Sequence, residues 1–128
     1  MDNAVREGGK LVRGTTATEA CQSYAVFTGI ATPEQDADYW QRFLAGFADD
    51  EDKPCPQNAF IGWYVRLAAL EKNHAYAQIE RDLRRVFYPQ AVTTGTLWEQ
   101  TTDVASLCHG FTGYAAELVA QIMEHQSK

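Results

Sequence analysis

The sequence predicts an all-α fold of about five helices in antiparallel hairpins, and three observations predict it. Apolar and aromatic side chains recur at three- and four-residue spacing along most of the chain. Helix start and stop residues punctuate those stretches. No segment alternates apolar and polar residues strongly enough to outrank the helical periodicities.

The elements follow in order. Residues 1–14 are polar and glycine-containing and are expected to form a flexible arm, leaving 15–128 as the helical domain. Thr16-Ala17-Thr18-Glu19 has the form of a capping box, opening a helix to about Gly29 with Ala20, Tyr24 and Phe27 on one face. Thr32 then serves as N-cap with Pro33 at the first helical position. The helix that follows carries Tyr39, Trp40, Phe43, Leu44 and Phe47 at helical spacing. The run Asp49-Asp50-Glu51-Asp52 and the prolines Pro54 and Pro56 mark a solvated connector, without the ligand spacing of a calcium loop.

Asn58 is expected to cap a third helix over about 59–73, and a fourth follows over about 75–87 with Tyr76, Ile79, Leu83 and Phe87 apolar. So short a connection makes the two antiparallel neighbours. Residues 88–103 read as a long loop, and the last helix spans about Val104 to Glu124. Its broad apolar stripe, with the aromatic residues of the earlier helices, leaves apolar surface for something to cover.

Composition narrows the function. The chain has 128 residues, 45% of them hydrophobic, and a net charge of −6. The acid excess argues against nucleic acid, whose phosphates require a clustered basic face. Arg81, Arg84 and Arg85, interrupted by Asp82, read as a solvated helix face, and Gly8-Gly9-Lys10 has the wrong spacing for a phosphate loop. Cys21, Cys55 and Cys108 have no metal-ligand spacing, so no metal or other cofactor is expected and the thiols read as reduced and buried. No apolar run approaches the length that spans a bilayer, and Met1–Glu7 lacks the apolar stretch of a secretory signal, so a cytoplasmic location with no membrane partner is expected.

The most informative segment is Gly95-Thr96-Leu97-Trp98-Glu99, with Ser106-Leu107-Cys108-His109-Gly110-Phe111 shortly after. A carboxylate beside an indole suits a sugar-processing site: the ring packs on the sugar's C–H face and the carboxylate handles a proton or a water. Each residue also has a structural use. Glu99 could cap the last helix or pair with Arg42 or Arg66, Trp98 could pack in the core, and His109 could be a hydrogen-bonded structural histidine. His74 at a helix junction and His125 near the end read as surface residues.

These two motifs, together with Thr16–Ala25, Gly29–Glu34 and Asn58–Gly62, resemble in order the late helices of bacterial α-L-rhamnosidase-like enzymes of glycoside hydrolase family 78. The resemblance covers about 11–120 and implies part of an (α/α)6 toroid of six helical hairpins. It implies that Glu99 is the general base of an inverting hydrolysis, that Trp98 shapes the sugar subsite, and that His109 hydrogen-bonds a substrate hydroxyl. Where the family has Asn before that histidine, this chain has Cys108. The family's general acid lies in an earlier acidic motif, and nothing here matches it. The chain therefore reads as a fragment carrying half of the catalytic pair, inactive alone, with a deoxyhexose glycoside as ligand. Members of the family are often exported. The competing reading is a non-catalytic helical interaction or sugar-binding module. A homo-oligomer or a completing polypeptide is the expected partner for the exposed apolar face.

Overall fold

The computed structural model describes residues 4–13, 18–47, 58–100, 105–108 and 110–126. The fold is all-α, with one small β-hairpin at the start. The acidic connector, with Cys55, lies outside the described residues.

The hairpin occupies part of the expected arm. Strands β1 (Ala4–Glu7) and β2 (Lys10–Arg13) pair antiparallel with Glu7 opposite Lys10. Gly8 and Gly9 form the turn at φ +57° and +82°, the left-handed pair that a two-residue hairpin requires. The hairpin is anchored. Leu11 enters the core, and the Arg6 guanidinium grips the Asp36 carboxylate at 2.9 Å.

Helix α1 (Glu19–Phe27) begins one turn-signal later than the capping box suggested. Thr18 is the cap, and its Oγ1 accepts from the Cys21 N–H at 3.3 Å. Its buried face is not the apolar one. Glu19, Gln22, Ser23, Ala25 and Val26 turn inward, while Tyr24 and Phe27 are 44% and 37% exposed. The polar residues can be buried because they are partnered: Glu19 accepts the Asn58 N–H at 2.8 Å, and Gln22 accepts the Tyr39 hydroxyl.

Helix α2 (Ala37–Ala45) starts after a separate turn, in which Thr32 Oγ1 accepts the Gln35 N–H. Asp36 stands at the cap position, but Arg6 holds its carboxylate. Tyr39, Phe43 and Phe47 carry this segment into the core.

Helix α3 (Phe60–Lys72) is not capped by Asn58. That side chain is buried with neither amide atom bonded, pressed against Gly62, where a Cβ would stand 2.3 Å from Asn58 Oδ1. Glycine is the residue that fits there. Glu19 binds Asn58 at the start of α3, and Lys72 at its end donates to the Phe27 carbonyl at 2.9 Å, so α1 and α3 lie side by side and parallel. Asn73, His74 and Ala75 then reverse the chain. The His74 and Ala75 N–H groups bond to the Glu71 and Leu70 carbonyls, the pairing of a Schellman cap. His74 occupies the position where such caps place glycine, at φ +54°.

The next helical rod is longer than its sequence suggested. Helix α4 (Tyr76–Asp82) passes through a π-turn (Leu83–Phe87) directly into α5 (Tyr88–Thr94), ending at Gly95 with φ +72°. Pro89 therefore does not open a loop at 88. In a regular helix its ring meets the carbonyl four residues back, and the wider π-turn before it relieves that conflict. Helix α6 (Tyr114–Gln126) starts ten residues later than Val104, after a 3-10 turn (Gly110–Gly113) whose glycines are poor helix formers. Ala115, Leu118 and Ile122 are its buried stripe.

At the centre sits a buried charge pair. Arg66, fully enclosed, donates from Nε to Asp82 Oδ2 at 2.7 Å, and its other nitrogens donate to the Phe43 and Leu44 carbonyls at the end of α2. Its guanidinium lies 4.9 Å from the centre of the Phe43 ring, and Gln78 donates to the second Asp82 oxygen at 2.9 Å. The pair joins α2, α3 and α4 at one point. Among the described residues no helix is long and apolar enough to cross a membrane.

Candidate functional site

The loop after α5 is built on one buried amide. Gln90, 3% exposed, accepts the Trp98 N–H at 2.9 Å on Oε1 and faces the Gln100 carbonyl with Nε2. Leu97 packs against the core beside it. The Trp98 indole N–H donates to Thr94 Oγ1 at 2.8 Å, which lays the ring back over the last turn of α5. Trp98 and Glu99 are both half-buried.

The two sequence motifs meet. The Glu99 N–H donates to the Ser106 carbonyl at 2.9 Å, and the Glu99 carboxylate accepts the Ser106 N–H at 3.4 Å. Thr96 donates its hydroxyl to the Leu107 carbonyl. Ser106 turns its own hydroxyl onto the Cys108 carbonyl at 3.0 Å. Residues 95–99 and 106–108 thus form a clasp, closed by both main chain and side chains.

Glu99 does not pair with Arg66, whose carboxylate partner is Asp82, and α6 begins too far along for Glu99 to cap it. His109 lies outside the described residues. Cys108 is exposed and Cys21 half-buried, so these two thiols are not the fully buried ones expected. His74 is an exposed junction residue. Among the described residues no group of His, Cys, Asp and Glu side chains assembles in a metal-binding arrangement.

Gln90 is the residue that sequence reasoning missed. Its signal was present: Leu83, Phe87 and Gln90 continue one helical stripe, visible once Pro89 is admitted inside a helix.

Two cavities lie elsewhere. An apolar groove of about 580 Å³ runs between the α4–α5 rod and α6, floored by Leu83, Phe87, Ala115 and Ile122 and edged by Val119 and Met123. A second, of about 560 Å³, lies between α2 and the α3–α4 turn. Neither is lined by Trp98 or Glu99. Among the described residues the clasp leaves Trp98 and Glu99 part-exposed.

No protein-family model matches the chain, and no curated protein or solved structure matches it.

Proposed function

We propose that residues 95–108 are the general-base segment of an inverting, α-L-rhamnosidase-like glycoside hydrolase site. In this reading Glu99 orients a water toward the anomeric carbon and Trp98 offers its ring to the sugar. The observation that carries it is the clasp. Two of the motifs that carry the family resemblance lie in contact, and the Glu99 carboxylate accepts the Ser106 N–H at 3.4 Å through one oxygen. The open placement of the clasp fits a site whose opposite wall comes from further helical hairpins.

Inversion needs a second carboxyl group about 6.5–9.5 Å from the first, and the resemblance assigns it to a segment with no counterpart in 1–128. Loss of a general acid costs about 10²–10⁴-fold in rate. Purified 1–128 is therefore expected to release no 4-nitrophenol from 4-nitrophenyl α-L-rhamnoside above buffer. Turnover abolished by Glu99→Gln would overturn the claim of a missing acid. The sugar assignment is tested separately, by titrating rhamnose against the Trp98 indole N–H resonance. A saturable shift is expected, and an unmoved resonance at saturating sugar would remove the carbohydrate reading.

A second reading has its own observation. The groove between the rod and α6 leaves Tyr88 67% exposed and Met123 64% exposed, an apolar lining that a second copy of the chain could cover as a non-catalytic interaction module. Sedimentation equilibrium tests it. This module predicts a dimer dispersed by Met123→Lys, and a concentration-independent monomer would exclude it.

A further inference from the structure

We infer that the cleft between α2 and the α3–α4 turn binds an anionic sugar, a ring compound carrying a carboxylate or a phosphate. Trp40, Glu34, Lys72, His74, Tyr76 and Arg81 are its chemically distinctive walls.

Charge is the first argument. Arg6, Lys10, Arg66 and Arg84 each have a carboxylate within 3.4 Å. Among the described residues Lys72 and Arg81 have none. Lys72 donates to the Phe27 carbonyl at 2.9 Å, and Arg81 directs Nε and Nη2 onto Gln78 Oε1 at 3.1 and 2.7 Å. Neutral acceptors therefore orient both cations, with Lys72 also 5.9 Å from the centre of the Phe27 ring, and neither has a carboxylate partner, in a chain whose net charge is −6. Of the lining residues, Glu34 alone carries negative charge. Preoriented cations in a recess are what an anion requires.

The second argument is shape. Trp40 is half-exposed, and its ring is backed by Phe43 at 5.4 Å between centroids. With Tyr76 it supplies flat apolar faces for the C–H side of a sugar ring. His74, held at positive φ by the helix cap that reverses the chain, lies in the cleft wall and fixes the turn that frames it.

This cleft and the Glu99 clasp lie at the two ends of the α4–α5 rod, on the order of 28 Å apart at the helical rise per residue. Occupancy of the cleft is independent of the glycosidase proposal, and Trp40 and Trp98 report on the two places separately.

The test is an NMR titration of ¹⁵N-labelled 1–128 with glucuronate, glucose 6-phosphate, glucose and inorganic phosphate. The expected result is a saturable, millimolar shift of the Trp40 indole N–H and the His74–Gln78 amides with glucuronate or glucose 6-phosphate. The tighter of the two identifies the anion. Arg81→Gln and Lys72→Gln, both at exposed positions, should each weaken binding about tenfold while the spectrum stays dispersed. The inference is overturned if neither anionic sugar moves these signals. It is equally overturned if glucose or inorganic phosphate alone reproduces the shifts, or if both variants bind like the parent chain.

Discussion

Replacing Asp82 with Asn keeps the shape of the side chain and removes its charge. Arg66 would then hold a guanidinium at zero exposure with only the Phe43 and Leu44 carbonyls and an amide oxygen to face. Removing one partner of a buried pair costs about 3–5 kcal/mol, because the other charge stays desolvated and unmatched. A domain of this size has about 5–15 kcal/mol in total, so roughly a fifth or more of the stability is at stake. The melting temperature should fall by roughly 10–20 °C. Urea denaturation followed by far-ultraviolet circular dichroism measures the loss directly. The midpoint should move while the slope stays the same, since the surface exposed on unfolding does not change. Arg66→Met together with Asp82→Leu should recover part of the loss, because no lone charge remains. A loss below about 1 kcal/mol for Asp82→Asn would refute the reasoning, since that is what a solvated pair gives.

Four further outcomes are expected. The Arg6 guanidinium holds the Asp36 carboxyl below the usual carboxylate range, so its contribution is present above the unfolded-state value near pH 4 and is lost as pH falls through the lower folded-state value. Carboxyl NMR should show Arg6→Ala returning Asp36 toward the ordinary value, and an unchanged titration would contradict this. Burial, followed by the bonded Glu71 carboxylate, pushes the Tyr114 phenol well above its ordinary value. That contribution is intact below about pH 10 and is lost as pH rises through the folded-state value, so Tyr114→Phe should remove a late-ionising phenol from an absorbance titration at 295 nm. His74→Gly should stabilise the fold by about 1 kcal/mol in urea, by relieving the left-handed backbone. Gln90→Ala should cost about 1–3 kcal/mol and speed hydrogen exchange at the Trp98 amide, with unchanged exchange showing that the loop stands without it.

The helical character was legible because Tyr39, Phe43 and Phe47, and later Ile79, Leu83 and Phe87, keep helical spacing and are all buried. The inward face of α1 was not, because pattern reading assigns inside by apolarity. Glu19 and Gln22 are buried through long-range partners, Asn58 and Tyr39, that local sequence does not reveal. The Gly8-Gly9 turn had a legible sequence, but the flanking strands are only four residues each and lean on Asp36 far along the chain. At the candidate site, the nearness of Trp98 to Glu99 was given by their adjacency. The closure of Glu99 on Ser106 depends on main-chain bonds, and the support from Gln90 on a helix that continues through a proline.

The π-turn at Leu83–Phe87 inserts the equivalent of one additional residue into the rod. Deleting a residue there would restore an ordinary coil and leave the rod on either side close to its present facing, whereas a deletion in the regular turns of α4 would swivel everything downstream by about 100° against the core and shorten it by about 1.5 Å. In the second case Gln90 would leave its buried position, and the chain bearing Glu99 would leave its seat with it. The π-turn is thus the place where the rod can absorb a change of length, and the regular turns before it are where it cannot, even where their side chains could vary.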